Sequence, residues 1–133
     1  MAMTRINCVP PSELHTKHLV AEYRELPRIF GLVEKAIVRG ERPDLDAVPT
    51  YRLGAGHVRF FYPRLMFLAE RHAALVAEMQ DRGFSPTFTT WLPLLYDERA
   101  IPLEWYGRWA PDDTAIALNR ARILERMPKG NKR

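Results

Sequence analysis

The feature that most constrains this chain is a stripe of apolar residues, Leu19, Tyr23, Leu26, Phe30, Val33 and Ile37, spaced by alternating steps of four and three. That spacing keeps one face of an α-helix apolar over five turns, whereas a strand would alternate every two residues. A helix from about position 15 to 39 follows, with Ser12 and Glu13 offering an N-cap signal upstream and Gly40 ending the pattern. Pro27 stands inside it. Proline removes a backbone hydrogen bond and presses on the preceding turn, so the sequence predicts a kink between Tyr23 and Pro27.

Two further helices are legible. Pro63 in a first-turn position opens one that Gly83 closes, with Leu65, Leu68, His72, Leu75 and Met79 facing inward. Pro111 opens the other, which carries Asp112 and Asp113 in its first turn, runs its apolar side through Ile116, Ala117, Leu124 and Met127, and stops at Pro128. Between them, Pro86, Pro93 and Pro102 break up a stretch that holds Phe88, Trp91, Tyr96, Trp105, Tyr106 and Trp109. The expected fold is all-α: a compact single domain over residues 1–133, of three main helices with long aromatic-rich connecting loops. These aromatics are expected mainly to cover the helices, stacking on a nucleic-acid base being the other use for them.

Composition narrows the function. A single cysteine, Cys8, allows no intramolecular disulfide and no Cys-rich zinc motif, and is read as a small, partly buried thiol. His57 and His72 read as packed or surface histidines, no spacing suggests a metal site, and no cofactor is expected. No run approaches the roughly 18 apolar residues of a membrane span, and no secretory signal opens the chain, so a cytoplasmic protein, nucleoid-associated if bacterial, and a monomer with no membrane partner is expected. The formal charge of +4 only permits a polyanionic partner; the position of the charges says more.

Projected at about 100° per residue, Lys17, Arg24, Arg28 and Lys35 fall in one stripe opposite the apolar one. Such a stripe is commonly a solvated face. Here it contains no acidic residue, and Arg24 and Arg28, one turn apart, form a fork suited to adjacent phosphates. Glu25 lies on its flank with His18 two turns back. Glu25 is either a counter-charge to an arginine or, since a carboxylate weakens binding to phosphates, a group kept for acid–base chemistry on a bound sugar. Arg120, Arg122 and Arg126 repeat the basic theme more weakly, ahead of the tail residues Lys129, Lys132 and Arg133.

The segments MTRIN, HLVAEYRELPRIFG and LGAGHVRFFY closely resemble the pyrimidine-dimer DNA glycosylases of the phage endonuclease V type and their algal-virus and bacterial relatives. The likeness is densest over residues 4–33 and 53–84, with TAIALNRARI still recognisable beyond. It implies a compact all-α protein that kinks double-stranded DNA at a cyclobutane pyrimidine dimer and extrudes a base opposite the lesion. Such a protein excises the 5′ pyrimidine and, as an AP lyase acting also at abasic sites, breaks the strand by β-elimination. By the same resemblance the nucleophile is the α-amine of Thr4, the catalytic carboxylate is Glu25, and the DNA contacts are Arg5, His18, Arg24 and Arg28, with Arg122 and Arg126; Lys17 joins them through the basic stripe. The family's aromatic run near its C-terminus has no counterpart in MPKGNKR.

An α-amine has an ordinary pKa of about 7.7 to 8.0, so much of it is a neutral nucleophile near neutral pH, and surrounding arginines would lower that value further. The chemistry needs Thr4 at the terminus. Initiation at Met3 followed by its removal frees that amine, whereas initiation at Met1 leaves Ala2 in front and Thr4 in an inert amide, with the amine displaced by up to about 7 Å. Met3 is the expected initiator. The rival reading is a non-catalytic DNA-damage binding module that uses the same basic helix face.

Overall fold

The computed structural model describes residues 4–89 and 101–127. Met1 and Met3, Trp91, Pro93 and Tyr96 of the aromatic loop, and Pro128 with the Lys129, Lys132 and Arg133 tail lie outside them. The elements are α1 (Thr16–Glu25), α2 (Arg28–Val38), α3 (His57–Phe61), α4 (Leu65–Asp81) and α5 (Asp113–Glu125), with 3-10 turns at Pro11–Glu13 and Leu103–Trp105. There is no strand among the described residues, and the fold is all-α as expected.

The long first helix is in fact two. The Leu26 N–H still donates to the Glu22 carbonyl at 2.9 Å, but Ile29 and Phe30 bond only three residues back, to Leu26 and Pro27, each at 3.1 Å. Proline has no N–H to continue the ladder, so the expected kink becomes a tight turn that divides α1 from α2. The apolar stripe runs on across the break: Leu19, Tyr23, Leu26, Phe30 and Val33 are buried, and Ile37 packs against them half-buried. Upstream, Ser12 is not the cap. The prolines at 10 and 11 lead the chain into a 3-10 turn, Leu14 is extended, and α1 starts only at His15, whose Nδ1 accepts the Lys17 N–H at 3.0 Å.

The inward residues expected of the second helix, from Leu65 to Met79, are all buried in α4, which packs against α1. Pro63 sits just before this helix rather than in its first turn, because its carbonyl accepts the Gly107 N–H at 3.0 Å. Trp109 stacks on Tyr51, with ring centroids 5.5 Å apart, and meets Phe60 and Phe67 edge-on, each at 4.9 Å. Trp105 is buried as well, so these two tryptophans cover the helices.

In α5 the apolar count misreads the inward face. Ala117 is exposed and Leu124 is 74% exposed, while Ala115 and the polar Asn119 are buried and Ile116 and Ile123 pack on the core. The helix is capped by the Asp112 side chain, which accepts the Ala115 N–H at 2.8 Å. Asn119 faces in because residues 4–9 lie beneath α5 and need hydrogen-bond partners there.

Candidate active site and nucleic-acid interface

Residues 4–9 belong to no helix, and no strand lies beside them among the described residues. Thr4, Ile6 and Cys8 are buried while Arg5 and Asn7 reach a cleft, the alternation expected of extended backbone, and Val9, at a bend, is buried as well. Backbone polar groups without a ladder partner must be satisfied by something else. Here side chains do it. Glu25 accepts the Arg5 N–H at 3.3 Å, His57 Nε2 accepts that of Ile6 at 2.9 Å, and Asn119 Oδ1 accepts those of Cys8 and Val9 at 2.7 and 3.1 Å. The Tyr51 hydroxyl donates to the Ile6 carbonyl at 3.1 Å, and Arg71 donates to that of Val9. Each such bond is worth about 1 kcal/mol, and together they clamp the segment from α1, α3, α4, α5 and the connection before α3.

A buried pair reinforces the clamp. Glu22 lies one turn before Glu25 and receives Arg71 on both carboxylate oxygens, at 2.8 and 3.0 Å. It also accepts from the Asn7 amide at 2.8 Å, and Asn7 in turn accepts from Asn119 at 2.8 Å.

This arrangement sets the backbone that follows Thr4 beside a carboxylate. The Thr4 nitrogen is three covalent bonds from the Arg5 nitrogen that Glu25 contacts, so it lies within about 3.7 Å of it. Thr4 itself is buried. The adjoining cleft, of about 180 Å³, is lined by Arg5, His18, Glu25, Arg122 and Arg126 among others. A second hollow, which shares Arg5, Arg122 and Arg126, extends toward Tyr51 and Gly54. Partial burial, with Arg126 and Arg122 close by, lowers the proton affinity of Arg5, and Glu25 opposes the shift. His18 is lowered chiefly by burial; the bond from its Nε2 to the Arg126 carbonyl at 3.1 Å acts the other way, and His15, Lys17 and Arg5 lower it further.

Of the residues singled out from sequence, Arg5, His18, Glu25, Arg122 and Arg126 meet at this cleft, while Thr4 is buried next to Arg5 and does not line it. Lys17, Arg24 and Arg28 do not line it; they stand exposed on α1 and at the start of α2, as a flanking basic surface. Arg120 is drawn away, paired with Glu13 at 2.6 Å. Glu25 accepts the Arg5 backbone N–H and also lies near enough to the Arg5 guanidinium to raise its proton affinity.

Sequence reasoning missed the residues that hold the segment: Glu22, Arg71, Asn119, Tyr51 and His57. His57 was read as a packed or surface histidine, and its burial makes it the packed kind. The available signal was LGAGH. Gly54 and Gly56 adopt positive φ of 71° and 88°, a conformation other residues rarely take, and the turn they make brings the Arg52 carbonyl within 2.8 Å of His57 Nδ1. His72 is a packed residue stacked on Tyr23 at 5.4 Å. The Cys8 thiol, near the Ala115 carbonyl, is pushed up to about 11 by burial. No helix among the described residues is long and apolar enough to cross a membrane. A family model described as pyrimidine dimer DNA glycosylase matches residues 3–91.

Proposed function

The chain belongs to the pyrimidine dimer DNA glycosylase family, and from that premise we propose that it excises the 5′ base of the dimer through an imine on the Thr4 α-amine and then cuts the strand as an AP lyase. A DNA-repair glycosylase acting on ultraviolet-damaged DNA is what the family supplies; the nucleophile, the lyase step and the site residues are our reading.

The observation that carries this reading is the contact of Glu25 with the first backbone nitrogen after Thr4. In the proposed reaction the Thr4 amine attacks the deoxyribose C1′, the glycosidic electron pair leaves with the base, and a proton is delivered to the departing group. Opening of the sugar ring gives an imine, an electron sink that acidifies the C2′ proton. Removal of that proton expels the 3′ phosphate, and water then releases the enzyme from the imine. Glu25 stabilises the cationic sugar as it forms and moves the protons for ring opening and elimination. Arg5, Arg122 and Arg126 keep positive charge around the amine, favouring its neutral, nucleophilic form. They also bind phosphates, as do Lys17, His18, Arg24 and Arg28 over the wider surface, a mode that tolerates sequence and weakens with salt.

Strand nicking tests the reading. Protein beginning at Thr4 should cleave both dimer-containing and abasic duplexes, whereas protein that retains Met3 should bind both and cleave neither. Cleavage of abasic DNA by the Met3-retaining form at an unchanged rate would remove Thr4 from the mechanism.

A further inference from the structure

The bond between His57 and Ile6 has no part in the reaction described above. His57 is 3% exposed and is the first residue of α3. Both of its ring nitrogens meet backbone: Nε2 the Ile6 N–H at 2.9 Å, and Nδ1 the Arg52 carbonyl at 2.8 Å. One protonation state satisfies both. The Ile6 N–H requires an acceptor at Nε2 and the Arg52 carbonyl requires a donor at Nδ1, so the ring is neutral with its proton on Nδ1. An imidazolium would set two N–H groups against each other. Burial holds the ring neutral, as do the charges of Arg5 and Arg122, against the contrary effect of the Arg52 carbonyl. Tyr51 and Phe61 pack edge-on against it, with centroids at 5.5 and 5.4 Å, so the ring has little freedom to turn.

From this geometry we propose that His57 is a positioning residue of the glycosylase, whose neutral Nδ1–H form fixes the register of Ile6 and so holds the Thr4 amine against Glu25. The proposal rests on the reading of Thr4 as nucleophile. Of the two side chains that accept backbone N–H groups nearest the amine, Glu25 is itself placed in the chemistry, which leaves His57 as the acceptor that sets register without reacting. Register matters because a slip of one residue in an extended segment moves the chain by about 3.3 Å and turns each side chain to the opposite face.

Two variants separate positioning from simple support. His57→Asn keeps a donor near the Arg52 carbonyl but is too short to reach the Ile6 N–H, while His57→Gln can place an oxygen near the position of Nε2. With abasic-site DNA and saturating protein that begins at Thr4, borohydride trapping of the imine should slow by about 10²-fold in His57→Asn. It should recover most of its rate in His57→Gln, with DNA affinity within a few-fold in both. Trapping by His57→Asn at the wild-type rate, or losses in both variants that merely follow their thermal stabilities, would overturn the proposal. Failure of the wild-type protein to give any adduct would instead overturn the Thr4 reading. Should His57→Asn not fold, ¹⁵N NMR of the wild-type ring at neutral pH decides: a protonated Nδ1 and bare Nε2 are expected, and a proton on Nε2 refutes the assignment.

Discussion

At the scale of single residues, the site sets the backbone of Arg5 against the Glu25 carboxylate, with Arg122 and Arg126 around the same cleft. Glu25→Gln keeps the shape and the acceptor for the Arg5 N–H but removes the charge and the proton-carrying capacity. It should retain DNA binding within a few-fold while excision falls by about 10² to 10⁴, read from single-turnover release of dimer-containing strands; excision at the wild-type rate would mean that another group does this work. Cys8 makes a contrasting case. With its thiol raised to about 11 by burial, almost none is thiolate at neutral pH, so native protein should resist maleimide that the urea-unfolded chain takes up readily. Glu25 drew attention in the sequence because a carboxylate flanking a basic stripe is out of place, and the structure puts it in the wall of the cleft. His57 was not legible: one histidine after a glycine turn says nothing about which backbone N–H its ring will meet.

At the scale of elements, the apolar periodicity of α1, α2 and α4 was legible because those helices bury one continuous stripe each, and the break at Pro27 follows from the missing N–H. The inward face of α5 was not legible, because it is defined by a polar residue. Asn119 serves the Cys8 and Val9 N–H groups, a partnership more than a hundred positions apart that no local pattern encodes. Asn119→Ala should leave both donors buried and unpaired, destabilising the protein by about 2 to 4 kcal/mol in urea titration and loosening the segment that carries Thr4. Asp112→Ala removes only the α5 cap and should cost about 1 kcal/mol, with excision little changed. Equal losses from the two substitutions would contradict the role given to Asn119.

At the scale of the whole molecule, the helices serve to pin an unladdered terminal segment and to surround it with positive charge. The flanking surface of Lys17, Arg24 and Arg28 should bind DNA through phosphates, so Arg28→Ala should lower the slope of log affinity against log salt by about 0.9. An unchanged slope would take Arg28 out of the interface. The central claim is that the amine clamped beside Glu25 is the one that reacts. The most direct measurement is to trap protein beginning at Thr4 on abasic DNA with borohydride, digest the adduct and locate the modified residue by mass spectrometry. The account predicts a reduced sugar linkage on the Thr4 α-amine alone; a linkage on any lysine side chain, or none at all, would contradict it.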